Sequence, residues 1–128
     1  MIVLVDTDVL IDFLRGLPEA RDFVRDLPCD AAISAITVAE LHVGVRDGGE
    51  RAALQGMLQT FRILPLDAEI AGRGGLLRRD FGRSHGVGLN DGLIAATAEV
   101  HGLKLASLNL KHYPMLAAEQ VFAPYRKH

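Results

Sequence analysis

Cysteine is nearly absent from this 128-residue sequence, which contains only Cys29. A single thiol cannot form an internal disulfide, and no Cys or His partner stands near it at the spacing of a zinc finger. This cysteine usage favours a reducing compartment. We therefore expect a cytoplasmic protein in which Cys29 is a small packing residue.

Long apolar runs and an excess of positive charge are also missing. The apolar start is too short to span a membrane, has no basic leader and runs into acids, so we expect no signal peptide. The formal net charge of -2 argues against nucleic-acid binding through bulk electrostatics, so any such binding must be local. A hydrophobic content of 49% is typical of a globular protein, and the length predicts one domain, residues 1–128.

What the sequence does contain is an alternation of short β-like runs with longer helical ones, without repeats or linkers. This alternation predicts an α/β fold with three α/β/α layers, in which a central, mostly parallel sheet is covered on both faces. The predicted strands are 1–5, 31–36, 62–66, 103–106 and 121–122. The predicted helices are 9–14, 18–27, about 38–46, 51–61, a helix after Asp67, and 91–100.

Glycines raise a question about the helix after Asp67. Gly72, Gly74 and Gly75 lie inside it, and each costs about 1 kcal/mol relative to alanine. Either the helix is broken there or another backbone packs closely against it, and the sequence leaves both possibilities open. The segment 82–89 is predicted to be a Gly-rich loop.

Three acids, Asp6, Glu40 and Asp91, stand at or near predicted helix starts that should open on one edge of the sheet. Each has a simpler interpretation, because Asp6 and Asp91 suit helix caps and Glu40 forms a capping box with Thr37. Together, however, converging carboxylates repel one another strongly without a cation. Magnesium prefers oxygen ligands and would resolve that conflict, and such a site suits phosphoryl chemistry.

Simpler interpretations are favoured for the other polar candidates. Solvated or capping positions account for Asp8, Asp12 and Asp67. Packing or capping accounts for His42, His101 and His112. A solvated surface is favoured over a phosphate-binding rim for Arg15, Arg73, Arg78, Arg79, Arg83 and His85.

Four segments carry a resemblance that runs nearly the length of the chain. They are 5–12 (VDTDVLID), 34–41 (SAITVAEL), 90–98 (NDGLIAATA) and 105–113 (LASLNLKHY). Their order and spacing resemble the PIN-domain ribonucleases and, within that family, the VapC-type toxins of toxin–antitoxin modules. The fold expected from the resemblance is a PIN-like α/β/α domain.

The resemblance also implies site residues. The family's first acid falls on Asp6, its glutamate on Glu40 and its third acid on Asp91. The fourth position, often Asp and sometimes Asn, falls on Asn109, and Ser107 stands where Thr is common. An amide brings no negative charge, so the expected site holds one ion tightly and recruits another only with RNA.

The activity implied by the resemblance is hydrolysis of RNA phosphodiester bonds with Mg²⁺, or with Mn²⁺. Asp6 and Asp91 would hold the metal, Glu40 would ligate it or orient the attacking water, and Asn109 would position water or a second ion. The implied partners are RNA, a small antitoxin and a second copy of the chain, with no membrane. The apolar run Leu10 to Leu14 is expected to be core rather than antitoxin groove.

Two other hypotheses remain at this stage. Asp6 and Asp8 after an apolar strand also match the first motif of haloacid-dehalogenase-like phosphatases, with Asp6 as the nucleophile. That family needs a further acidic pair downstream, and only Glu119 is acidic after Ser107. A phosphoacceptor receiver module has a similar length and an acidic pocket, but its adjacent acid pair and late lysine-proline motif are missing.

Overall fold

The computed structural model describes residues 2–28 and 30–126. The prediction that Cys29 is a packing residue lies outside these ranges. In the described part of the chain, no helix is both long enough and apolar enough to cross a membrane.

Five short strands form one sheet in which all neighbouring pairs are parallel. The strands are β1 (Val3–Val5), β2 (Ala32–Ser34), β3 (Arg62–Leu64), β4 (Lys104–Ala106) and β5 (Val121–Phe122). Their order is β3-β2-β1-β4-β5, with Leu4 of β1 opposite Ala32 on one side and Leu105 on the other. The strand order changes direction between β1 and β4, and in open α/β sheets the binding crevice lies at the carboxyl ends of the strands at such a point.

Six α-helices cover the sheet within the described residues. They are α1 (Thr7–Leu14), α2 (Pro18–Arg25), α3 (Ala35–Val43), α4 (Gly49–Leu58), α5 (Ala68–His85) and α6 (Leu89–His101). Two short 3-10 helices follow at Leu110–His112 and Ala118–Gln120.

The core lies on both faces of the sheet, because successive strand residues point in opposite directions. On one face, Leu4 and Leu105 pack with Ile94 of α6. On the other, Val5 and Ile33 belong to a cluster with residues of α1, α3 and α4. The predicted α/β class and its covered parallel sheet are confirmed.

The start of α3 differs from the sequence prediction. Ser34, at the end of β2, accepts a hydrogen bond from the Ile36 N–H at 3.0 Å and caps the helix. The helix therefore begins at Ala35, and the predicted strand to Ile36 and the capping box of Thr37 and Glu40 are both wrong. Because the cap lies three residues earlier than predicted, both side chains are free to bond elsewhere.

Helix α5 is unbroken through its glycines and ends at Gly86, whose φ is 67°. The predicted loop 82–89 is wrong for residues 82–85, which continue α5, and for Leu89, where α6 begins two residues before the predicted start. A Cβ on Gly74 would lie 2.5 Å from Leu93 Cδ2, and one on Gly92 would lie 2.6 Å from the Gly74 carbonyl oxygen. Of the two possibilities left open, close backbone packing explains Gly74, and it fixes α5 against the start of α6.

Candidate active site

The candidate site lies where β1 and β4 end side by side. Asp6 follows β1 directly, and Ser107 follows β4 directly. Val5 is paired with Ala106, so the parallel register brings the two following residues together. The Ser107 hydroxyl accordingly donates to Asp6 Oδ2 at 2.7 Å.

Asp6 is buried and accepts three hydrogen bonds. Its Oδ1 accepts from the Thr7 N–H at 2.8 Å, which makes it the cap of α1 as well as a site residue. Its Oδ2 accepts from the Ser107 hydroxyl and from the Tyr113 hydroxyl, the latter at 2.8 Å. Burial, and then the charge of Asp8, raise the pKa of Asp6 to about 7, although these three donors oppose the rise.

Tyr113 lies beneath the carboxylates and is 1% exposed. Burial raises the pKa of its hydroxyl above the usual range, and the charges of Asp6, Asp91 and Asp8 raise it further. The hydroxyl therefore stays protonated and acts as a donor at this site.

Asp8 is a second acid of the first turn of α1 that points toward β4. Its Oδ2 accepts from the Leu108 N–H at 2.9 Å, so it fixes the segment that follows β4. Its Oδ1 is buried and has no hydrogen-bond partner among the described residues. Burial raises the pKa of Asp8, which is not the solvated residue that the sequence favoured.

Glu40 enters the site from α3 and is held through Thr7. The Thr7 hydroxyl donates to Glu40 Oε1 at 2.7 Å and also lies 3.0 Å from the Thr37 hydroxyl. Asn90 Nδ2 donates a longer bond of 3.4 Å to Glu40 Oε2. The hydroxyl of Thr37 thus serves this network and not a helix cap.

Asp91 is the third residue of α6, one turn in from the cap at Gly88. Burial raises its pKa most, whereas His112 Nδ1, 3.5 Å from Asp91 Oδ2, opposes that rise. The charge of Glu40 adds to the rise and the hydroxyl of Tyr113 opposes it, which shows that both groups lie near Asp91.

Asn109 stands at the rim of the site and is exposed. Its backbone N–H donates to the Ser107 hydroxyl oxygen at 3.1 Å. The fourth position is therefore attached to the same serine that donates to Asp6, while its amide faces solvent.

The donor set fits a hard cation. Asp6, Asp8, Glu40 and Asp91 offer carboxylate oxygens, the ligands that Mg²⁺ and Mn²⁺ prefer. Among the described residues these acids form no ion pair with lysine or arginine, and the one cationic partner is His112 on Asp91. Asp8 Oδ1 is buried and has no hydrogen-bond partner among the described residues, and burial raises the pKa of Asp6, Asp8 and Asp91. A nearby positive charge would favour the ionised form of each carboxyl.

The described carboxylates do not form a ready three-ligand site for one bare ion. In residues 2–28 and 30–126, no group of three His, Cys, Asp or Glu side chains stands in an arrangement that could hold a metal. Tyr113 donates to Asp6 Oδ2, and the negative charge of Glu40 raises the pKa of Asp91. Mg²⁺ usually keeps several waters, and a hydrated ion reaches farther than a bare one.

Four site residues were missed by the sequence analysis. Thr7 and Tyr113 received no role, Asp8 was expected to be solvated or capping, and His112 was expected to have only a structural role. All four lie in the segments that carried the family resemblance. His42, in contrast, bonds to the Val38 carbonyl of its own helix at 2.7 Å, as a packing role predicts.

A groove of about 560 Å³ opens beside Glu40 and is lined by both apolar and charged side chains. Ile11 and Leu14 of α1 face it, with Arg15 at its edge, whereas Leu10 is fully buried in the core. The apolar run of α1 thus divides between the core and the groove.

Two of the arginines considered for a phosphate-binding rim are engaged with acids. Arg73 Nε lies 3.0 Å from Glu99 Oε2, and Arg79 Nε lies 2.8 Å from Asp80 Oδ1. These pairs agree with the solvated helix face that the sequence favoured.

Comparisons with known proteins show the family of this chain. The family model described as "PIN domain" matches residues 3–113. Ribonuclease VapC10 of Mycobacterium tuberculosis is 45% identical over 126 residues, 96% of this chain and 92% of the relative. Toxin FitB of Neisseria gonorrhoeae is 35% identical over 138 residues, 96% of this chain and 98% of the relative.

A solved structure extends the likeness to three dimensions. A toxin–antitoxin complex from Klebsiella pneumoniae contains a chain with a TM-score of 0.83 and 33% identity, covering 98% of this chain and 99% of that one. With the match of the family model and the identity to VapC10, this likeness shows that the chain belongs to the PIN-domain family and to its VapC-type branch.

Proposed function

We propose that this protein is a magnesium-dependent endoribonuclease and the toxin of a toxin–antitoxin module. The observation that supports this most is the group of carboxylates at the β1/β4 edge, which no lysine or arginine of the described residues pairs with. PIN-domain ribonucleases generally depend on divalent metal ions, and VapC10 is named a ribonuclease. The proposal includes residues 1–128 acting as one domain in the cytoplasm, where a lone cysteine stays reduced.

In this proposal Asp6 and Asp91 hold the ion, directly or through its waters, and Glu40 joins them. A bound divalent cation supplies a polarised phosphate oxygen and a water of lowered pKa. Glu40, fixed by Thr7 on one oxygen, keeps lone pairs of its other oxygen to orient the attacking water. Asn109 positions a further water or a second ion, to which its amide brings no charge.

The partners follow from the relatives. The neighbour from Klebsiella pneumoniae is a toxin–antitoxin complex, and FitB is called a toxin. We propose a small antitoxin that covers the groove beside Glu40, where Ile11 and Leu14 offer apolar surface, and assembly of the chain as a homodimer.

Cleavage of RNA by purified variants tests the activity and the site together. Asp6→Asn and Asp91→Asn should each lower metal-dependent cleavage at least about a hundredfold, since losing a charged ligand removes several kcal/mol of charge stabilisation. EDTA should abolish wild-type cleavage, and Mg²⁺ or Mn²⁺ should restore it.

Asp47→Asn is the matched control, because Asp47 is an exposed acid whose partner is Arg51. It should cleave like the wild type. Circular dichroism must show that all variants are folded. Unchanged cleavage by both site variants, or cleavage that persists in EDTA, contradicts the proposal.

The two alternatives are not favoured by the structure. Receiver-like sheets have the strand order 2-1-3-4-5, whereas this sheet has the order 3-2-1-4-5. Haloacid-dehalogenase-like phosphatases need a further acidic pair downstream, and after Ser107 only Glu119 is acidic. Incubation with acetyl phosphate should therefore leave Asp6 unmodified, and a stable acyl phosphate there would favour either alternative over the nuclease.

A further inference from the structure

Tyr113 is the largest fully buried side chain of the described residues, and it ends in the middle of the candidate site. It follows the 3-10 helix Leu110–His112, which the segment after β4 forms. Its ring packs in the same core cluster as Leu4 and Ile94, and its hydroxyl lies 2.8 Å from Asp6 Oδ2. An aromatic ring anchored in the core thus carries a polar atom to a carboxylate of the site.

The hydrogen bonds on Asp6 determine which of its oxygens remains open. A carboxylate oxygen has two lone pairs. Oδ2 accepts from Ser107 and Tyr113 and is saturated, whereas Oδ1 accepts only from the Thr7 N–H and keeps one lone pair. While the hydroxyls of Ser107 and Tyr113 occupy Oδ2, the oxygen of Asp6 that remains available to ligate a cation is Oδ1.

The ring of Tyr113 is held in place by the core. Because it is buried in a packed cluster, its hydroxyl has little freedom to leave Asp6 Oδ2. The same hydroxyl opposes the rise in the pKa of Asp91.

We propose that Tyr113 is a positioning residue that holds Asp6 in the rotamer with Oδ1 open to the cation. This inference rests on the proposed metal site. Partners of ligating carboxylates typically change metal affinity 10–100-fold when they are mutated. Removing the Tyr113 hydroxyl would make the Asp6 carboxylate slightly more basic, which by itself favours cation binding. We expect the loss of the fixed rotamer to have the larger effect on metal affinity.

Mn²⁺ binding by the RNA-free chain tests the inference without any measurement of cleavage. Titration followed by electron paramagnetic resonance of free Mn²⁺ should show an affinity at least about tenfold weaker for Tyr113→Phe than for the wild type. Tyr125→Phe is the matched control, since it removes a similar bond of 2.9 Å to Asp12 Oδ2. A merely structural role predicts that both variants lose stability but keep their Mn²⁺ affinity.

A second measurement leaves the side chain in place. The sequence has two tyrosines, so the chain labelled with 3-fluorotyrosine gives two ¹⁹F signals, which Tyr125→Phe assigns. Mg²⁺ should shift the Tyr113 signal and leave that of Tyr125 unchanged.

The outcomes separate the two proposals. If wild type binds Mn²⁺ and Asp91→Asn does not, while Tyr113→Phe binds as tightly as wild type or more tightly, the metal site stands and the positioning role is wrong. A ¹⁹F signal of Tyr113 that does not shift at saturating Mg²⁺ also contradicts the proposed positioning role. If the wild type binds no Mn²⁺, the proposed function fails and the inference fails with it.

Discussion

At the residue scale, the simple and the functional interpretations of an acid are not exclusive in this protein. Asp6 caps α1 through Oδ1 and meets two hydroxyls of the site through Oδ2. The residue that ends a buried strand and begins a helix is thereby placed at the carboxyl edge of the sheet, where a ligand binds.

The raised pKa of Asp6 predicts how metal-free stability depends on pH. A carboxyl whose pKa is 3.8 when unfolded and about 7 when folded binds more protons in the folded state across that interval. The free energy of unfolding in EDTA should therefore fall as pH rises from about 4 to about 7, by at most about 1.4 kcal/mol per pH unit for one proton. Asp8 and Asp91, whose pKa values are also raised, act in the same direction.

Urea unfolding at several pH values between 5.5 and 8 measures this dependence. Asp6→Asn should flatten the curve and be more stable than the wild type at pH 8, because it removes the buried charge. Wild-type stability that increases with pH through this window would show that burial does not dominate at Asp6.

At the element scale, the site depends on how helices are fixed against one another. Helices α5 and α6 pack backbone to backbone at Gly74 and Gly92, next to Asp91. Helices α1 and α3 are joined by the Thr7 hydroxyl, which reaches both Thr37 and Glu40. Each helix pair thus brings one acid to the edge of the sheet.

Gly74→Ala should destabilise the protein by about 1–3 kcal/mol, because its Cβ would meet the Leu93 backbone at 2.9 Å and one of the two helices must shift. Gly75→Ala in the same helix is the control, since a Cβ there meets nothing within 4 Å. It should stabilise the helix by up to about 1 kcal/mol. Urea unfolding of both variants checks the difference, and equal effects would contradict the close packing.

Thr7→Val should lower RNA cleavage about tenfold or more, because Glu40 loses the donor that fixes its carboxylate. The shape of the side chain is retained, so the fold should persist. Thr97→Val is the matched control: Thr97 is also buried, but its hydroxyl bonds to the Leu93 carbonyl of its own helix. Cleavage by Thr97→Val should match the wild type, and a similar loss in both variants would point to a general effect on packing.

At the scale of the whole molecule, the negative net charge limits the electrostatic attraction between the protein and RNA phosphates. The net charge is -2, and Arg73 and Arg79 are engaged with Glu99 and Asp80. Affinity for RNA must therefore come from a few local contacts near the site and not from a broad basic face.

The salt dependence of RNA binding measures the number of those contacts. Each neutralised phosphate of a single strand contributes about -0.7 to the slope of log affinity against log salt. Fewer than about five contacts should give a slope shallower than about -3. The cleavage-deficient Asp91→Asn variant permits the measurement by fluorescence anisotropy, and a much steeper slope would indicate a basic surface that the charge distribution does not predict.

Local sequence patterns were enough to predict the fold class, whereas the roles of Asp6, Glu40 and Asp91 remain a prediction. Alternating apolar runs and helical segments predict a covered parallel sheet, because each element with an apolar face must bury that face against another element. The α/β class, the final strand at Val121–Phe122 and the caps at Asp6 and Asp67 all followed from such local patterns.

Only the tertiary structure decided how those acids are held. Tyr113 donates to Asp6 across 107 positions of the chain, and Thr7 reaches Glu40 across 33. Contacts over such separations depend on strand order and helix packing, so no local pattern predicts them. The same reason explains the wrong capping box at Thr37: its hydroxyl bonds to Thr7 of another helix, which a local pattern cannot show.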